Sequence, residues 1–110
     1  MPFYMFQARY GANAIKAMVD NPQDREAPAR ALIEGMGCKL HSMFFCMGAD
    51  DVVAIIEAPD DATMAAGSMV IGASGAFSGG ATTKLLTPQE AVTAMEIANK
   101  AASSYTPATG

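Results

Sequence analysis

The run Val52 to Ala58, Val-Val-Ala-Ile-Ile-Glu-Ala, is the clearest strand in the chain, and a second apolar run, Cys38 to Met47, precedes it across Gly48-Ala49-Asp50. Glycine, alanine and aspartate in that order are turn chemistry. A connection that short cannot return the chain to a parallel neighbour, because parallel pairing needs a crossover of about a dozen residues or more. The two runs are therefore expected to form an antiparallel hairpin. That hairpin fixes the middle of the fold.

Phe3 to Tyr10 is rich in aromatics, bounded by Pro2 and Gly11, and reads as a first strand; Gly11 to Val19 reads as a short helical turn. Asn21-Pro22 offers an N-cap followed by proline, and the helix predicted from there carries Ala29, Leu32, Ile33 and Met36 as one apolar stripe. Pro28 inside it is expected to bend or restart the helix, and Gly37 to cap it in the left-handed conformation. Beyond the hairpin, Asp60 or Asp61 caps a helix with Ala62, Ala65, Ala66 and Met69 as its small-residue stripe. Residues 76–86 read as a fourth strand, in which Gly79 and Gly80 mark a bulge. Thr87-Pro88-Gln89-Glu90 is a capping box that starts a last helix reaching about Ala102. The order β-α-β-β-α-β-α predicts an α+β chain with a ferredoxin-like βαββαβ core and an added C-terminal helix. Its 110 residues suit one domain, here 1–102, with 103–110 as a tail for which Tyr105 is the candidate anchor, on this fold or on a neighbouring subunit.

Such a fold places its helices on one face of the sheet. Alternation assigns Tyr4, Phe6, Ala8, Tyr10, Leu40, Phe44, Cys46, Ala54, Ile56 and Ala58 to that face. The opposite face receives Phe3, Met5, Gln7, Arg9, Lys39, His41, Met43, Phe45, Val53, Ile55 and Glu57. Phe3, Met5, Met43, Phe45, Val53 and Ile55 together exceed the few hundred Å² of apolar patch that a monomer usually exposes. Pairing two copies sheet to sheet is the expected remedy, which makes the chain its own partner as a homodimer or higher homo-oligomer.

Charge narrows the remaining partners. The net charge is -4, and the Lys and Arg residues, seven in all, are scattered. No nucleic-acid partner is expected, and no partner in an anionic membrane. The glycine- and serine-rich run from Ala62 to Thr83 is too polar to span a bilayer, and the N-terminus lacks the basic start of a signal peptide. Cys38 and Cys46 on one strand would stand roughly 26 Å apart, too far for a disulfide, and reduced thiols fit a cytoplasmic location.

The chain resembles the GYD-domain family, small bacterial proteins placed among the dimeric α/β-barrels. The resemblance runs over roughly residues 1–98: Tyr4, Arg9-Tyr10, Asn21-Pro22 with Arg25, Gly37-Cys38-Lys39-Leu40, and Thr82 to Thr87. Its most specific stretch is Met47 to Val53 followed by Ile56-Glu57-Ala58-Pro59-Asp60-Asp61, in which Gly48 and Asp51 match the family pattern and Asp50 stands where the name-giving tyrosine would be. The resemblance implies a barrel formed by two sheets, and no particular activity.

The chemistry-bearing residues are few. His41, the single histidine, with Gln7, Arg9 and Glu57 on the open face, forms the candidate ligand site, His41 as acid/base or hydrogen-bond donor and Arg9 as anion anchor. The alternative is that Arg9 and Glu57 pair with each other across the sheet, with His41 at a solvated edge. No second histidine or paired cysteine motif completes a metal site, and no cofactor is expected. Gly48-Ala49-Asp50-Asp51 could hold a cation, but aspartates in a hairpin turn more often cap backbone amides. The glycine-rich run from Gly72 to Gly80 lacks the ending of a phosphate loop and reads as a flexible connection or a lid. The nine methionines, among them Met5, Met43 and Met47, suit adaptable packing. Self-association or binding is the function expected first. Binding of a small apolar or aromatic ligand comes second, and a cofactor-less or haem-related monooxygenase, by analogy with related barrels, third.

Overall fold

A computed structural model describes residues 1–109. The chain order is β1 (Phe3–Tyr10), α1 (Ala12–Asp20), α2 (Glu26–Gly35), β2 (Lys39–Phe45), β3 (Val52–Glu57), α3 (Asp61–Ala73), β4 (Phe77–Leu85) and α4 (Pro88–Ala101), followed by a 3₁₀ turn, Ala102–Ser104. The strands form one sheet in the order β2-β3-β1-β4, every pair antiparallel. This is a ferredoxin-like α+β fold with an added C-terminal helix.

The even residues of β1 and β3 face the helices, as alternation requires. Tyr4, Leu40, Ala54, Ile56 and Ala58 form a core with Ile33 of α2 and Met64 of α3. A second, smaller cluster of Ala8, Tyr10 and Val52 packs with Ala14 and Met18 of α1. Phe6 and Met43 border both clusters.

Strand β2 breaks the expected alternation. Its pairing with β3 shifts between Leu40, opposite Ile56, and Ser42, opposite Ile55. The extra residue at this bulge inverts every later side chain. Met43, opposite Ala54, and Phe45, opposite Val52, therefore lie on the helix face, while Phe44, opposite Val53, lies on the open face. The sequence assignment of these three residues is corrected accordingly.

Helix α2 begins later than Asn21-Pro22 suggests. Asn21 instead closes α1, its amide donating to the Ala17 carbonyl at 2.9 Å. Pro28 then falls in the first turn of α2, where its missing N–H costs no intrahelical bond, so it neither bends nor restarts the helix. Gly37 does adopt the left-handed conformation, with φ 76°. In α3 the expected stripe is also displaced: Met64 is buried, with Gly67, Ser68 and Ile71 half-buried, whereas Met69 is exposed. Asp60 caps α3 by accepting from the Thr63 amide at 2.8 Å.

The glycine-rich run is mostly regular structure, with Gly72 inside α3 and Gly79 and Gly80 inside β4. Between them, the Ala76 carbonyl accepts from the Gly11 amide at 2.8 Å. The register irregularity of β4 lies opposite Arg9/Tyr10, beside the glycines. Gly80 is needed for close approach, since a Cβ there would stand 2.4 Å from the Gln7 carbonyl oxygen.

Helix α4 forms through both halves of its capping box, Thr87 accepting from the Glu90 amide at 3.1 Å and Glu90 from the Thr87 amide at 2.9 Å. It then leaves the body: every residue but Ala91 is exposed. The radius of gyration is 18.0 Å, where a compact chain of this size has about 13 Å. Tyr105 is 72% exposed, so its own fold does not anchor the tail, whose last residue, Gly110, lies outside the described residues.

Candidate functional site

The open face is built from Phe3, Met5, Gln7 and Arg9 of β1, Val53, Ile55 and Glu57 of β3, and Phe44 of β2. Phe44 is 66% exposed, while Phe3, Met5, Val53 and Ile55 are half-buried by one another. No helix covers them among the described residues.

Of the four polar residues expected to converge here, His41 and Glu57 pair with each other, Arg9 pairs with Asp50 instead, and Gln7 stands alone. His41 Nε2 lies 2.8 Å from Glu57 Oε1, and the His41 ring sits 5.2 Å from that of Phe3. Alternation from Leu40 puts His41 on this side, and the register places Phe3 opposite Glu57, so the three gather at one end of β1. The N-terminal amine adds a contact to Glu57 at 4.0 Å. Arg9 stands at the other end, about 20 Å along the strand. Its guanidinium donates to the Ala49 carbonyl at 3.0 Å and lies 3.7 Å from Asp50. Gln7 is half-buried midway between them and its amide makes no hydrogen bond among the described residues. Arg9 and Glu57 thus do not pair with each other.

The residues shared with the family pattern have different uses. Asp51 stitches the hairpin to β1: its carboxylate accepts from the Tyr10 amide at 2.9 Å, its own amide donates to the Ala8 carbonyl at 2.9 Å, and its carbonyl accepts from the Cys46 amide at 2.7 Å. Asp50, in the tyrosine's place, pairs with Arg9. Nothing in the chain requires glycine at Gly48, where a Cβ would meet open space. No group of His, Cys, Asp or Glu among the described residues could hold a metal ion, and Cys38 and Cys46 are free thiols.

A polar cluster that alternation alone does not reveal lies on the helix side. The Tyr4 hydroxyl donates to Asp61, and Lys84 Nζ lies 3.0 Å from the same carboxylate. The Asp61 hydrogen bond, then burial, pushes the Tyr4 pKa up to about 12. Asp61 is held below its usual value by Tyr4 and then by Lys84. These residues line an open groove between α3 and β4, in which Ser68 and Thr82 hydroxyls meet at 2.9 Å. In sequence Tyr4 is one aromatic of a strand, and only the seating of α3 over β4 gives its hydroxyl a partner. Elsewhere, Asp60 is held low by the Thr63 amide and Cys38 is pushed up by burial.

No helix among the described residues is long and apolar enough to cross a membrane. No curated protein matches the sequence. Among solved structures, the crystal structure of MtbAldR is similar, with TM-score 0.53 and 18% identity over 78% of this chain and 52% of that one. The chain thus spans about half the length of that protein, and at this identity the likeness is one of fold. A protein-family model described as GYD domain matches residues 4–95.

Proposed function

The chain belongs to the GYD domain family, and from that premise we propose that it works as a self-associating binding module, two copies pairing sheet to sheet as a dimeric α/β-barrel. The observation that carries this reading is the uncovered sheet face, where Phe44 is 66% exposed beside Phe3, Met5, Val53 and Ile55. Burying that patch against its own copy gains about 25 cal/mol per Å² of apolar surface. A two-fold pairing is self-complementary, so each polar group on the face meets a group of the same face. Gln7, central and without a side-chain partner among the described residues, gains one there. His41 with Glu57 and Arg9 with Asp50 enter the seam already paired, which lowers the cost of burying their charges. Tyr105 extends the same assembly by docking on the second copy.

The test is mass by light scattering at micromolar concentration. The wild type is expected at twice its 11.4 kDa. Phe44→Glu is expected at the monomer mass, because it buries an unpaired charge in the seam. Phe45→Glu, on the helix side of the same strand, is expected to remain a dimer wherever it folds. A wild-type monomer overturns the reading. Deleting residues 103–110 should loosen the dimer while leaving the fold intact, and an unchanged dissociation constant refutes the role given to Tyr105.

A further inference from the structure

The helix side of the sheet contains a space that its own side chains do not fill. Helices α2 and α3 meet where Met36 reaches Gly67, at which a Cβ would stand 3.3 Å from Met36 Cε. Away from that pinch, between the first turns of α2 and the last turn of α3, a cavity of about 270 Å³ lies over the sheet. It separates the two core clusters, and Phe6 and Met43, which border both, line it. Protein interiors pack at crystal-like density and keep few voids larger than a water molecule. Ala29, Ala54, Ser74 and Ala76 face this one, where larger apolar residues would close it.

The few polar groups along the lining show what could enter. Arg25 borders the cavity, and its guanidinium has one partner among the described residues, the neutral Gln23 side-chain oxygen at 3.0 Å. Its acidic neighbours are engaged elsewhere: Glu26 lies 3.7 Å from Arg30, and Asp24 accepts from the Glu26 amide at 2.8 Å. No carboxylate pairs with Arg25 among the described residues. Tyr10 also lines the cavity, and its hydroxyl makes no hydrogen bond among those residues. The third polar group, the Ser74 hydroxyl, is committed to the Ile71 carbonyl at 2.6 Å.

We infer that this cavity binds a small carboxylic acid with a one- or two-ring aromatic or branched aliphatic body, the body between α2, α3 and the sheet and the carboxylate on Arg25. An apolar chamber with one unpaired guanidinium at its border matches that ligand class in both parts. The volume, just below the ~300–1,000 Å³ typical of ligand pockets, suits a small ligand. The site lies across the sheet from the self-association face and does not depend on that reading.

Calorimetric titration with naphthalene-2-carboxylate, and with its neutral counterpart naphthalene-2-methanol, tests the site. The carboxylate is expected to saturate at one per protomer and to bind at least tenfold tighter than the alcohol. Arg25→Gln should remove that advantage while leaving the alcohol unchanged. Ala29→Phe, which fills the chamber, should abolish both. The Phe44→Glu variant should bind as the wild type does, so that loss of the dimer and loss of the ligand are read separately. If Ala29→Phe fails to fold, methyl resonances of the wild type decide: shifts at Leu32, Val70 and Ile71 support the site, and shifts confined to Ile55 and Val53 overturn it. Absence of saturable binding up to millimolar probe, or equal affinity for the two probes in wild type and Arg25→Gln, also overturns it.

Discussion

Ile55 and Ile56 are adjacent in β3, yet Ile56 is 3% exposed beneath the helices while Ile55 is half-buried on a face with no helix. The two sheet faces are comparably apolar along this strand. What differs is who covers them. One face is closed by α1, α2 and α3 of the same chain, with a chamber left inside. The other has no helix of its own against it among the described residues. A strand that is apolar on both sides needs two covering layers, and this chain supplies one.

The sharpest way to break this comparison is to truncate the neighbours. In the monomeric Phe44→Glu background, Ile56→Ala should cost about 2–5 kcal/mol in urea denaturation, the usual range for a core isoleucine. Ile55→Ala in the same background should cost clearly less, on the order of 1 kcal/mol, because Ile55 is only half-buried. Equal costs would mean that the two faces are equally covered within one chain.

A second contrast sets Gly80 against Gly48. Alanine at Gly80 would place a Cβ 2.4 Å from the Gln7 carbonyl and 3.0 Å from Ala8 Cα, both backbone atoms that cannot step aside. The strain of overpacking is about 1–3 kcal/mol, and chemical denaturation should report it. Gly48→Ala meets no atom within 4 Å and should be near neutral by the same measurement.

The rim of the covered face should also respond to pH. Asp61 titrates at 3.8 in an unfolded chain and lower in the fold. Its contribution is therefore present above 3.8 and disappears as pH falls through the lower folded value. Tyr4 titrates at 10.0 unfolded and about 12 folded, so its contribution is present below pH 10.0 and is lost as pH rises toward 12. Thermal midpoints of Tyr4→Phe across both ranges should lose the tyrosine part of the alkaline fall and soften the acid one. Curves parallel to the wild type at both ends would disconnect this trio from stability.

The smallest effect is expected where there is no packing at all. Thr87→Ala removes the α4 cap, worth about 1 kcal/mol to the helix. Because α4 is exposed along nearly its whole length, the loss should appear as reduced helicity in circular dichroism without a shift in the unfolding of the sheet.

Alternation was a sound guide wherever strands are uninterrupted. It assigned every face of β1 and β3, and it placed His41 with Glu57. It failed in β2 because the bulge leaves no signature in Leu40-His41-Ser42-Met43; a count by twos simply loses its phase there. Asn21-Pro22 carries a genuine helix-start pattern, but the asparagine was already used to end α1. Arg9 shares a face with His41 and Glu57, yet face membership says nothing of distance along the strand. The Tyr4–Asp61–Lys84 trio and the chamber beside Arg25 depend on how α2 and α3 sit on the sheet. No local sequence pattern encodes that placement.

The outstretched α4 also affects how this protein behaves on a column. A chain of 11.4 kDa with a long axis of 60 Å and transverse extents of 34 and 22 Å has more hydrodynamic drag than a sphere of equal mass. A single copy will therefore elute early and mimic a heavier particle, and deleting α4 would delay its elution by more than the lost mass warrants. Elution volume follows shape here, and only a measurement that weighs the particle counts its copies.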